Sequence, residues 1–368
     1  MRFISLLTAS CCCIVFMLSC ANDDEPAEQE AFQIPATYLF DNVDYSEQTQ
    51  ILSMLLEMKA YLTSANTPGV VLDIDRLQAM STNESGASWI SSYDESLELR
   101  GMTNEPEQVL FEQLMVRIAA ASESVEAGSP GQAGVVVSND GSKQYLLDEN
   151  GVECAQFIEK GLMGACLYYQ ATSVSLGEDK MNADNSVILP GRGSDMEHHW
   201  DEAFGYLGVP KAFPADADGL FFWGTYSNRR DPLLGCNQRI MDALLKGRAA
   251  IRHGDLVSRD EAILEVRSAW EEISASTAVH YLNVALNQMN DLAIRTHALS
   301  EAIAFTYSLK FNPDRSLSVS EIDEILTLIG GSSNLLSINL YDSTTDRLNQ
   351  ARAALAQAFG FEAIADQL

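Results

Sequence analysis

YSEQTQILSMLLEMKAYLTS, residues 45–64, carries apolar side chains at Ile51, Met54, Leu55, Met58 and Leu62. Steps of three, one, three and four residues put them on one face of a helix. The same reading extends to EQVLFEQLMVRIAAASE, residues 107–123, with Leu110, Leu114, Ile118 and Ala119 on one side, Asn104 as a candidate cap and Pro106 near the start. Residues 152–173, VECAQFIEKGLMGACLYYQATS, have helical spacing and a Gly/Ala content that suits close helix packing. Further helices are expected over 237–250, 258–289, 291–310, 318–330 and 344–358, with Ser258 and Glu261 forming a capping box at the head of the longest. GVVVSNDGSKQYLL, residues 134–147, with Asn139, Asp140 and Gly141 at its turn, reads as a hairpin. Gly and Pro cluster at 185–195 and 205–237, where two halves could join. The expected fold is all-α: two packed helical bundles, residues 36–190 and 195–368, with a small β-hairpin insertion.

The first residues stand apart from that fold. Arg2, the apolar run ISLLTASCCCIVFML and the small residue before Cys20 read as a signal peptide over 1–19 that leaves Cys20 as a lipidated N-terminus, in the manner of a bacterial lipoprotein. The apolar run is short for a membrane-spanning helix, which needs about 20 residues. Residues 20–35 begin acidic and lack aromatics until Phe32, as a solvated tether would. Acidic residues directly behind the lipidated cysteine resemble the signal for display on the outer cell surface.

The chain sets 23 Lys and Arg against 52 Asp and Glu, a formal charge of −29. Such a surface repels phosphate backbones and anionic headgroups, so no nucleic-acid partner is expected and the membrane is reached through the lipid alone. Beyond the signal and Cys20 there remain Cys154, Cys166 and Cys236, with no CxxC. No zinc ribbon or disulfide scaffold is indicated, although an oxidising compartment permits one bridge.

Two segments carry candidate chemistry. In RGSDMEHHWDEAFGYLG, residues 192–208, helical projection puts Met196, Trp200, Ala203, Phe204 and Leu207 on the core face. His199 falls on its shoulder with Glu202 beside it, whereas His198 lies opposite the core and Glu197 and Asp201 lie on the other flank, with His198 and Asp201 expected in solvent. His199 and Glu202, three apart, are able to share a divalent cation or to form a plain hydrogen-bonded pair. In RTHALSEAIAFTYS, residues 295–308, His297, Glu301, Ala304, Phe305 and Ser308 share one narrow face. A carboxylate placed there must be paired, protonated or metal-bound, and His297 is within reach of Glu301. FPADADGLFFWG, residues 213–224, contains D-x-D-G but no bidentate Glu at EF-hand spacing, and reads as an acidic turn. NPDRSLSVSEIDE, residues 312–324, reads as a helix start capped by Ser318 or Ser320.

The string H-W-D-E, His199 to Glu202, matches the HxxE signature of imelysin-like proteins. The longer EHHWDEAFGYLG, with HALSEA at 297–302, resembles the DUF4856 branch of that superfamily, and the likeness runs through MLLEMKAYL and KGLMGACLYY over nearly the whole mature chain. The resemblance implies two helical bundles with the HxxE element near their junction as a metal or ligand site. It also implies an exported or lipid-anchored protein of Gram-negative bacteria, associated with iron or haem acquisition. Glu197 stands where the imelysin pattern G-x-H-x-x-E has glycine, so the local backbone departs from the family's.

Imelysins have been classed as metallopeptidases, but this chain lacks H-E-x-x-H, and His199 with Glu202 is a thin donor set for holding a catalytic water. The expectation is therefore an outer-membrane lipoprotein, displayed on the cell surface, that serves uptake rather than turnover. Its ligand would be iron, zinc or an iron-containing group such as noncovalent haem, held at His199 and Glu202, with His297 and Glu301 as further donors and an outer-membrane receptor as partner. No C-x-x-C-H is present for covalent haem. A metal-dependent hydrolase using the same residues, and a structural or partner-binding surface protein, are the alternatives.

Overall fold

The computed structural model describes residues 32–368, so the signal peptide, Cys20 and most of the tether lie outside the described residues. Gln33–Leu368 form one unit. It is helical apart from a single hairpin, as the periodicity predicts.

The helices are α1 (Ser46–Ser64), α2 (Ile74–Thr82), a single turn α3 (Leu99–Met102), α4 (Gln108–Ser122), α5 (Cys154–Leu162), a single turn α6 (Glu178–Met181), α7 (Asp195–Leu207), α8 (Phe222–Leu234), α9 (Cys236–His253), α10 (Leu256–Asn287), α11 (Leu292–Ser308), α12 (Val319–Gly330) and α13 (Thr345–Phe359). Strands β1 (Gly134–Val137) and β2 (Gln144–Leu147) pair antiparallel. Their turn is organised by Asp140, which accepts from Ser138 Oγ at 2.6 Å and from Ser142 N at 2.9 Å. The 32-residue α10 packs on α8, α9, α11 and α13, and α11 also packs on α5 and α12. Trp200, Trp223 and Trp270 are fully buried in the resulting core. No helix among the described residues is long and apolar enough to cross a membrane.

Helix ends follow capping chemistry. Ser194 and Glu197 form a reciprocal capping box at α7, and Ser318 and Glu321 do the same at α12. At α10 the expected Ser258–Glu261 box is replaced: Asp255 caps the helix by accepting from Ser258 N, and the helix begins at Leu256. At Gly247 of α9 an added Cβ would sit 2.1 Å from the Trp200 ring, so glycine here is what lets α9 close onto α7.

Two departures bear on the site. The stretch read as one helix over 152–173 is α-helical only to Leu162 and then runs as two π-helical segments, Met163–Tyr168 and Gln170–Ser175. Carbonyls along them accept donors from elsewhere: Trp223 Nε1 on Met163 O at 2.8 Å, Asn104 N on Ala165 O at 2.8 Å and Arg267 Nε on Thr172 O at 2.9 Å. The region of Gly and Pro punctuation contains α8, with Pro232 inside it.

Candidate functional site

Helix α7 starts at the Ser194 cap and ends at Gly208, whose φ of 74° terminates it. As projected, Met196, Trp200, Ala203, Phe204 and Leu207 are buried. The opposite flank differs from expectation. Asp201, expected in solvent, is 0% exposed, and Glu197 is buried too. Both meet Arg248 of α9, itself 0% exposed: Nε donates to Asp201 Oδ1 at 2.8 Å and Nη1 donates to Glu197 Oε1. Tyr38 OH donates to the same Asp201 oxygen at 2.8 Å while its ring stacks on Phe204. Burial pushes the Asp201 carboxyl up to about 6, against the opposing pull of Arg248 and Tyr38. Two acidic side chains on α7 thus brace it to α9 from inside the core.

His199 and Glu202 sit at the rim, their side chains 12% and 17% exposed. His199 Nδ1 lies 2.9 Å from Glu202 Oε2, which also accepts from Ser175 Oγ at 3.2 Å at the end of the second π segment. His198, expected in solvent, is folded back so that its Nε2 lies 3.5 Å from Glu202 Oε1. Burial pushes the Glu202 carboxyl up, but the hydrogen bond and charge of His199, followed by His198 and Ser175, outweigh it and hold the group below the ordinary carboxylate range. Burial pulls the His198 imidazole down.

An ionised carboxylate only accepts, so the proton of the His199–Glu202 bond is on Nδ1 of His199. In the neutral tautomer that this bond selects, the lone pair lies on Nε2, which has no hydrogen-bond or ion-pair partner among the described residues. Both Glu202 oxygens, by contrast, are occupied. This is the arrangement in which a carboxylate orients a histidine so that its other nitrogen can bind a metal.

The second pair has the opposite character. His297 Nδ1 lies 2.6 Å from Glu153 Oε2 and its Nε2 lies 3.4 Å from Glu301 Oε1, with the ring stacked on Tyr145 at 4.2 Å. Burial pulls the imidazole down, but the charge and hydrogen bond of Glu153 and the charge of Glu301 outweigh it, so its pKa is raised. Both ring nitrogens face carboxylates, and neither is left as a free donor atom for a metal. Glu301 Oε2 accepts from Tyr226 OH at 3.2 Å. Further along α5, the buried Glu159 takes Lys160 at 2.5 Å and Lys59 at 2.8 Å on one oxygen.

Among the described residues the two histidine sites share no hydrogen-bonding or ion-pair partner. Among the described residues no three His, Cys, Asp or Glu side chains are grouped as a metal-holding set. Surface hollows of about 440 Å³ beside Arg259 and Arg267, and of about 460 Å³ beside Arg100 and Glu112, are lined by none of the four candidate residues. Cys154, Cys166 and Cys236 are free and buried, so the permitted bridge does not form. Asp216 accepts from Asp218 N at 3.0 Å in an acidic turn.

Arg248, Glu153 and Ser175 escape a reading by sequence periodicity, since their partners lie 47, 144 and 27 residues away. The one legible signal was an isolated charge in an apolar setting, Glu153 within VECAQF.

The family model described as "Domain of unknown function (DUF4856)" matches residues 35–362. No curated protein and no solved structure matches the chain.

Proposed function

The chain belongs to the DUF4856 family, and from this premise we propose that it is a lipid-anchored, exported protein that binds a metal-centred ligand through His199 and serves uptake. The observation that carries the reading is the His199–Glu202 bond, which leaves Nε2 as an oriented, unpartnered donor. One protein donor holds a bare cation weakly against water. It suits a metal that arrives with donors of its own, as iron does in haem, where one imidazole supplies an axial bond. Glu202 orients the ring rather than ligating, and His297 and Glu301 contribute to the fold rather than to the ligand. The likeness to imelysins and its link to iron acquisition support the same reading, as does the lipoprotein pattern ending at Cys20, which we take to anchor the chain at the outer membrane for hand-over to a receptor. A metal-dependent hydrolase at the same residues would need several protein ligands around a reactive water, more than this site's single free nitrogen offers.

The test is titration of the purified protein with haemin, followed by the absorbance of the haem band. Wild type and His297→Ala should bind alike, His199→Ala should lose the ligated spectrum, and Glu202→Gln should weaken binding by about tenfold or more, the usual cost of losing the carboxylate behind a ligating histidine. An unchanged spectrum in His199→Ala would overturn the proposal.

A further inference from the structure

The loop between α6 and α7 presents Val187, Ile188 and Leu189 at 58, 53 and 46% exposure, three consecutive large apolar side chains on an acidic protein. Scattered single apolar residues are ordinary on a surface, but an exposed run is a feature that function must explain. The run is held rather than loose: Leu189 N donates to Gly193 O at 2.9 Å, and Gly193 N returns a bond to Leu189 O at 2.9 Å. Beside it passes the start of the described chain. Gly191 N donates to Asn42 Oδ1 at 2.9 Å, and Arg252 of α9 pairs with Asp41 at 2.9 Å. This segment adds Ile34 and Leu39, at 49 and 69% exposure.

We propose that the 187–189 loop, with Leu39 and Ile34, is a membrane-contact surface that rests in the headgroup region of the bilayer carrying the lipid on Cys20. The inference rests on the lipid-anchor reading above. Residues 33–42 are where the tether enters the folded unit, and they are tied directly to the apolar loop. The dozen residues from Cys20 to that entry point reach at most about 40 Å even when fully extended, so the anchor keeps this surface close to the membrane. The protein's net charge opposes adsorption to anionic lipid, which leaves apolar insertion beside the anchor as the favourable contact. The loop runs on into α7, so seating it sets the head of that helix toward the membrane.

The test uses the full chain processed in a lipoprotein-maturing host and reconstituted into phosphatidylethanolamine and phosphatidylglycerol vesicles. The native thiols Cys154, Cys166 and Cys236 are buried, so a thiol-reactive, environment-sensitive fluorophore reports on Ile188→Cys, with Val257→Cys, 70% exposed at the head of α10, as the control. We expect a blue-shifted emission and several-fold stronger quenching by nitroxide-labelled lipid at position 188 than at 257. Equal quenching at both positions in protein that floats with the vesicles overturns the membrane contact and leaves the anchor intact. A blue shift without lipid quenching assigns the cover to protein and likewise overturns it. If wild type and Cys20→Ser both fail to float, the anchor reading itself falls and takes this inference with it.

Discussion

At the residue scale, helical projection sorted His199 from the core stripe of α7 correctly but placed His198 and Asp201 in solvent, where neither lies. Arg248 shows why that fails. Its partners Asp201 and Glu197 sit one turn apart on α7, and the cation that pairs them in the core is supplied by another helix. Replacing Arg248 with Met should destabilise the protein by about 3–5 kcal/mol, because it leaves two acidic groups in the core with no cation. Chemical denaturation of Arg248→Met against wild type checks this. A loss below about 1 kcal/mol, the level of an exposed ion pair, would contradict it. The pairing itself was not legible, since periodicity says which face a residue occupies and nothing about what faces it.

At the element scale, the long helices were legible because their apolar residues recur at helical spacing and their caps are local. Ser318 at the head of α12 is such a case. The π segments were not, because MGACLY and QATSVS carry the same spacing as an α-helix. What distinguishes them is the set of donors from Trp223, Asn104 and Arg267, which arrive from distant parts of the chain. Helix α8 was hidden by Pro232 and by apolar residues gathered toward its two ends rather than spread along a face. The close approach of α7 and α9 yields a second expectation. Gly247→Ala drives a methyl group into the Trp200 ring and should cost about 1–3 kcal/mol through overpacking, read as a lowered Tm. An unchanged Tm would mean that the two helices separate freely, contrary to the Arg248 brace between them.

At the scale of the whole molecule, the hairpin, α5 and α11 are joined through His297, stacked on Tyr145 and set between Glu153 and Glu301. This imidazole holds its proton more tightly folded than unfolded, since Glu153 and Glu301 outweigh its burial. Its contribution to stability is therefore full below the unfolded value of about 6.5 and is lost as pH rises through the raised folded value. The denaturation midpoints of wild type and His297→Gln should lie furthest apart below pH 6.5 and converge as pH rises. A gap that widens with pH would reverse the assignment.

The central claim is that Glu202 fixes the proton of His199 on Nδ1 and leaves Nε2 free for a metal-centred ligand. Two-bond ¹H–¹⁵N correlation spectra of histidine-labelled protein measure this directly, with His199→Ala identifying the signal. The account predicts that the neutral tautomer is the one protonated at Nδ1, with the Nε2 resonance shifting when a diamagnetic zinc porphyrin is added. A ring protonated at Nε2, or an Nε2 resonance that ignores the porphyrin, would contradict it.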